Sequence, residues 1–121
     1  KLMADPGHLH VLGNGKQRKS YLYVQDCIDA MFVAIEKAQD KVNIFNLGTD
    51  EYICVDDSIR WITDYLKLNP RIIYSGSDRG WIGDNPFIFL DCMSLRALGW
   101  EPKVTIRDAV INTLQYLEHN K

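Results

Sequence analysis

Cysteine is scarce and badly placed for structure: Cys27, Cys54 and Cys92 are the only three in 121 residues, far apart and without a C-x-x-C pair. An odd number excludes a self-contained disulfide framework, and the spacing excludes a zinc ribbon. The pattern fits a reducing compartment, so a cytoplasmic location is expected, and Cys27, at a helix start with no histidine near it, is expected to pack rather than react. No apolar run approaches the roughly 20 residues of a membrane-spanning helix, and no signal-peptide pattern opens the chain. Charge of one sign is also missing. The net charge is −2, and only Lys16 to Lys19 is locally basic, which excludes a long stripe for nucleic acid. Neither a membrane nor a nucleic acid is therefore expected as a partner.

Self-sufficient catalytic motifs are lacking too. Gly13-Asn14-Gly15-Lys16-Gln17-Arg18 misses G-x-G-x-x-G by an arginine at the third glycine, where close helix–strand approach needs no side chain. Gly15-Lys16 has no glycine five residues earlier, so it is not a P-loop. None of the six tyrosines has a lysine four residues on, and G-x-S-x-G, H-E-x-x-H and EF-hand patterns are absent. His8 and His10 stand two apart on a strand, but no third ligand follows at a metal-binding spacing, so no metal is expected.

What is present is an ordinary globular composition, 46% hydrophobic and 25% charged, enough for one domain with a core. No repeat, low-complexity run or linker divides it, so residues 1–121 are read as a single mixed α/β lobe. The first residue is Lys rather than Met, and a fragment or processed piece of a longer chain is expected. The organising stretch is Val11 to Asp26. Gly13-Asn14-Gly15 between two apolar runs predicts a hairpin, because Gly and Asn accept positive φ at low cost. Alternation along the second strand puts Lys19, Tyr21 and Tyr23 on one face and Ser20, Leu22 and Val24 on the other. A cation with two rings suits a phosphate and a flat base; equally, the hairpin could be buried on both sides with solvated cations at its mouth.

Asp26 is read as the N-cap of a helix that buries Ile28, Met31, Phe32, Ile35 and Ala38. Val42 to Gly48 alternates and predicts a strand, with the amides of Asn43 and Asn46 needing partners. Asp56 or Asp57 caps a second helix, with Ile59, Ile62 and Leu66 inward, stopped by Asn69-Pro70. Arg71 to Ser75 reads as a strand, Met93 to Leu98 as a short helix closed at Gly99, with Trp100 folding back near Leu95. Thr105 and Asp108 form a variant capping box for a last helix with Ile106, Val110, Leu114 and Leu117 inward. Between these, the loop from Gly76 to Pro86 holds Arg79, Trp81 and Asp84; it is either a binding loop or a mobile surface loop with Trp81 tucked onto the core.

Two blocks carry a resemblance. The first is LHVLGNGKQRKSYLYVQD, Leu9 to Asp26. The second is RGWIGD, Arg79 to Asp84, followed by Leu90-Asp91 and LGWEP, Leu98 to Pro102; Phe45 to Thr49, with its N-x-G-T core, lies between. In this order they resemble the C-terminal half of NAD-dependent nucleotide-sugar epimerases and dehydratases of the extended short-chain dehydrogenase/reductase superfamily, with UDP-glucose 4-epimerase as the best-known member. The resemblance implies a substrate-binding lobe whose Rossmann half, holding NAD and the catalytic Tyr-x-x-x-Lys and Ser or Thr, is missing here. No catalytic residue and no cofactor are then expected within this chain, and the parent is expected to be an isomerase-like enzyme of carbohydrate metabolism, homodimeric as the family commonly is. By resemblance, His10 and Leu12 flank the base, Lys19 replaces the arginine usual at the diphosphate, and Arg79 and Asp84 reach phosphate and ribose. Arg18, Tyr21 and Trp81 are secondary candidates for the same ligand, a UDP-sugar. Lysine holds phosphate as a point charge, without arginine's planar two-pronged contact. Two other readings stay open: a free-standing nucleotide-binding or interaction module without catalysis, and a lobe that binds nothing alone because the missing half forms a wall of the cleft.

Overall fold

The computed structural model describes residues 1–85 and 87–120. In chain order the elements are β1 (His8–Val11), β2 (Arg18–Lys19), α1 (Val24–Lys37), β3 (Ile53–Cys54), α2 (Val55–Leu66), β4 (Arg71–Tyr74), α3 (Met93–Ala97) and α4 (Ile106–His119). They make the mixed α/β lobe that the sequence predicts. β1 runs parallel to β4, with His8 opposite Arg71 and Val11 opposite Tyr74. β2 runs antiparallel to β3, with Lys19 opposite Ile53.

The expected hairpin is therefore not formed. The chain turns at Gly13 (φ 87°) and Gly15 (φ 80°), but β2 leaves to pair with β3. The reason is where the turn's polar groups go. Gly13 donates its amide to Ser75 Oγ (2.6 Å) and accepts from the Gly76 amide (3.1 Å). Gly15 O accepts from the Asp56 amide and Gln17 O from the Val55 amide, both at 3.0 Å. The turn thus caps the start of α2 and the end of β4 instead of folding back on β1. A Cβ at Gly15 would stand 1.9 Å from Asp56 Oδ1, and one at Gly13 1.7 Å from Gln17 Nε2. These are collisions on top of a φ that side chains disfavour.

Helix α1 begins earlier than expected. Its N-cap is Tyr23, in extended geometry, and Asp26 lies inside the first turn, where a carboxylate also complements the helix dipole. The alternation read through Tyr23 accordingly ends at Lys19. Asp26 is 2% exposed. Its Oδ2 accepts from the amides of Lys103 (3.1 Å) and Val104 (3.0 Å), and its carbonyl accepts from Trp100 Nε1 (3.1 Å). Ala30, Val33 and Ala34 follow on the same stripe at helical spacing and pack with Leu95 and Trp100. One turn further, Lys37 Nζ donates to Leu98 O (2.8 Å). This anchoring turns the predicted inward face outward: Ile28, Met31, Phe32 and Ile35 are exposed, Ile35 by 77%. Small residues face the indole because only they let α1 approach it closely. Val42 to Gly48 likewise forms no ladder among the described residues, and Ile44 is 86% exposed. The side chains of Asn43 and Asn46 do find partners, donating to Asp40 O and Asp91 O.

The cap of α2 is Cys54, not Asp56 or Asp57; Asp57 reaches back to accept from the Cys54 amide (3.0 Å). The helix stops at Leu66, ahead of Pro70, because Lys67 takes left-handed geometry (φ 53°) and the Leu68 amide closes on Thr63 O. Thr105 caps α4 through the Asp108 amide as read, with Ile106 buried and Val110 and Leu114 half-buried, while Leu117 is left exposed. Trp100 folds back onto Leu95 past Gly99 as predicted.

Asp26 gives the first test. Truncation to Ala orphans the Lys103 and Val104 amides at about 1–3 kcal/mol for each buried donor, so Asp26→Ala is expected to lose about 2–4 kcal/mol in urea unfolding. Asp26→Asn, which keeps an acceptor oxygen, is expected to lose roughly half of that. An Asp26→Ala protein within about 0.5 kcal/mol of the wild type, the range of an ordinary surface change, would refute the anchoring role.

Candidate functional site

The two residues of β2 point apart, as neighbours on a strand must. The Arg18 guanidinium lies 4.3 Å from the centre of the Phe87 ring and 5.4 Å from that of Tyr52, a cation–π seat. Lys19 turns toward the loop after β4. Its Nζ donates to Asp84 Oδ1 (2.5 Å) and to Asn85 O (3.1 Å). Asp84 Oδ2 accepts from the Gly80 amide (3.0 Å), so both carboxylate oxygens are occupied. The pair is largely sheltered, with side chains 25% and 14% exposed. The Lys19 hydrogen bond, then the Gly80 amide, hold the Asp84 carboxyl below its usual range, with a smaller contribution from the Arg79 charge.

These side chains border a cleft of about 290 Å³, rimmed by Arg18, Lys19, Trp81, Asp84, Asn85 and Ile88. Trp81 is not tucked onto the core. It is 63% exposed, and its ring lies over Gly83, where a Cβ would come within 2.4 Å of it. Arg79 is exposed beside the pair, and its carbonyl accepts from the Ser77 hydroxyl. The structure thus gathers Arg18, Lys19, Trp81 and Asp84, with Arg79 at the margin. His10 and Leu12 lie elsewhere, on an apolar cavity of about 420 Å³ shared with Leu2, Ile59, Leu66 and Leu114. Tyr21 lines a third cavity, about 570 Å³, with Tyr23, Val110 and Thr113, and burial pushes its phenol pKa up.

Sequence reasoning missed the Gly80 amide, the Asn85 carbonyl and the Tyr52–Phe87 seat of Arg18. The first two are backbone groups, which no residue type announces. The aromatic seat had a signal, since Phe87 and Phe89 follow the loop after β4 and stack at 5.9 Å.

The glycine turn does not fit a dinucleotide. Its concave side is filled by Gln17, Asp56 and Tyr74, and the first amides of α2 are spent on Gly15 O and Gln17 O. Tyr74 Oη and Lys16 Nζ both donate to Asp56 (2.7 and 2.8 Å), closing this region further. Among the described residues no three His, Cys, Asp or Glu side chains converge as metal ligands, and no helix is long and apolar enough to cross a membrane.

Comparison with known proteins agrees with the two blocks. The model of the NAD dependent epimerase/dehydratase family matches residues 2–48. A trifunctional UDP-glucose 4,6-dehydratase/UDP-4-keto-6-deoxy-D-glucose 3,5-epimerase/UDP-4-keto-L-rhamnose-reductase of Arabidopsis thaliana is 27% identical over 112 residues, covering 93% of this chain and 16% of that protein. The solved structure of a UDP-galactose 4-epimerase superposes with a TM-score of 0.81 at 32% identity, covering 98% of this chain and 38% of the other. That of the UDP-glucose 4-epimerase of Thermotoga maritima, which holds UDP-glucose, gives 0.84 at 26% identity, covering 98% and 37%. The resemblance to nucleotide-sugar epimerases and dehydratases therefore stands, and the fold is theirs. The chain spans well under half the length of each of these proteins.

The Lys19–Asp84 pair sets a pH dependence. Because the Asp84 pKa is lowered, its contribution is complete above the ordinary aspartate value of 3.8 and is lost as pH falls through the lowered one. The Gly80 amide resonance is expected to hold its position down to about pH 4 and to move only below. Lys19→Met should bring that midpoint up toward 3.8. A Gly80 midpoint above 3.8 in the wild type would contradict the pairing.

Proposed function

We propose that this chain is the nucleotide-sugar-binding lobe of an NAD-dependent epimerase like UDP-glucose 4-epimerase, with a UDP-sugar as substrate. One observation carries the reading. Lys19, on the segment that the family model matches, meets Asp84 from the second block, 65 residues later in the chain. The two blocks on which the resemblance rests thus converge on one cleft. That cleft offers what a nucleoside diphosphate needs: an ammonium, a nearby loop amide, the Arg18 guanidinium at its edge and an exposed indole.

The catalytic residues and the NAD site lie in a part of the parent outside these residues, consistent with a glycine turn too full to hold a dinucleotide. The work of this lobe is anchoring. An epimerase must hold the nucleotide while the sugar turns, so binding energy belongs on base and diphosphate, remote from the reacting carbon. His10 and Leu12, on the separate apolar cavity, are assigned to the base side by the resemblance alone, and Lys19, Arg79 and Asp84 to diphosphate and ribose. The outward stripe of α1 also supports a parent chain. Ile28, Met31, Phe32 and Ile35 form an apolar face that a free-standing module would leave in water. Three unpaired cysteines favour a reducing, cytoplasmic setting.

The test is kinetic, in the complete natural enzyme. Charge-assisted hydrogen bonds are worth about 1.5–3 kcal/mol each, so Lys19→Glu and Arg79→Glu are each expected to lower kcat/KM for a UDP-sugar roughly 10- to 100-fold. The isolated 121-residue lobe is expected to turn over no sugar. Wild-type kinetics in both variants would remove the site assignment, and epimerisation by the pure lobe would remove the division of labour.

A further inference from the structure

Within this cleft, the donors suited to a phosphate hold a carboxylate of the chain itself. The Lys19 ammonium from β2 and the Gly80 amide from the loop after β4 converge on the two oxygens of one carboxylate, at 2.5 and 3.0 Å. The Arg79 charge also favours the ionised carboxylate. A carboxylate gripped by an ammonium and a loop amide is chemically a stand-in for a phosphate oxygen pair in such a nest. Gly80 is part of the fit, since a Cβ there would stand 3.1 Å from Asp84 Oδ2.

Resting on the functional reading above, we infer that Asp84 is an internal counter-anion: it holds the phosphate donors of the cleft until the diphosphate of an incoming nucleotide displaces it. Lys19 then exchanges one oxyanion for another and never stands bare, which spares the lobe an uncompensated sheltered charge. Because Asp84 and Asn85 both hang on the Lys19 ammonium, the exchange also frees the loop from Gly80 to Asn85 to move over the ligand. The device trades affinity for specificity. An anion able to contact Lys19 and Gly80 together displaces the carboxylate, whereas a single weak charge does not.

The experiment uses the complete natural chain carrying this sequence, with inorganic pyrophosphate and UDP as probes. Asp84→Asn keeps the shape and removes the competitor, and is expected to bind pyrophosphate at least fivefold tighter than the wild type. Asp78→Asn is the control, because it removes an exposed carboxylate of the same loop that makes no contact with Lys19; its affinity should change by less than twofold. In the unmutated protein, the Gly80 amide and the Asp84 carboxyl carbon should shift along the pyrophosphate saturation curve. Equal or weaker binding by Asp84→Asn, an equal gain in Asp78→Asn, or a static Gly80 amide at saturation each overturns the counter-anion while leaving the cleft as the binding site. Failure of wild type and variant alike to bind either probe overturns the cleft reading as well. If Asp84→Asn does not fold, the wild-type resonances alone decide.

Discussion

The carboxylate of Asp26 is the point on which the lobe turns. It sits in the first turn of α1, yet its acceptors serve backbone amides 77 and 78 residues later, at the entry to α4. Its own carbonyl receives the indole N–H of Trp100. One residue therefore satisfies two half-buried amides and one buried indole, groups that would each cost free energy if left alone. Because the side chain leaves the helix on a defined face, its bonds also set the rotation of α1. Ala30, Val33, Ala34 and Lys37 must then face Trp100, Leu95 and the end of α3. The core forms where the anchor points, and the bulkier apolar stripe is left facing outward.

A second junction works by the same means and locates the cleft. The glycine turn spends its carbonyls on the first amides of α2 and its own amide on Ser75 at the end of β4. The start of α2 is thereby satisfied without an anion, and β2 is launched toward β3 with Lys19 aimed at the loop beyond β4. No side chain fits at Gly13 or Gly15, so the path between the two loops is narrow and reproducible. The Lys19–Asp84 pair is the consequence, bringing together chain segments whose separation gives no local hint of contact.

This explains which features were legible in the sequence. Local rules succeeded where local forces decide: the Thr105 cap, the return of Trp100 past Gly99, the helical spacing of α2 and α4. The residues of the cleft were legible as well, but only as two ordered blocks; the pairing of Lys19 with Asp84 within them was not. Readings failed where a distant partner decides. Gly13-Asn14-Gly15 has hairpin chemistry, yet Ser75, Gly76 and Asp56 compete for its polar groups and win. Asp26 has N-cap chemistry, yet amides beyond residue 100 claim it. Helix α1 carries apolar residues on two faces, and periodicity alone favoured the larger ones.

The wrong face is informative in its own right. Ile28, Met31, Phe32 and Ile35 recur at helical spacing, and Val42 and Ile44 stand two apart beside core-packed Phe45 and Leu47, so these six apolar side chains are patterned for burial that the described residues do not give them. On the functional reading proposed above they have a common cause: helix and strand are addressed to an apolar layer and a sheet edge elsewhere in a longer parent. The same partner would bring the reacting groups toward a nucleotide held at Lys19.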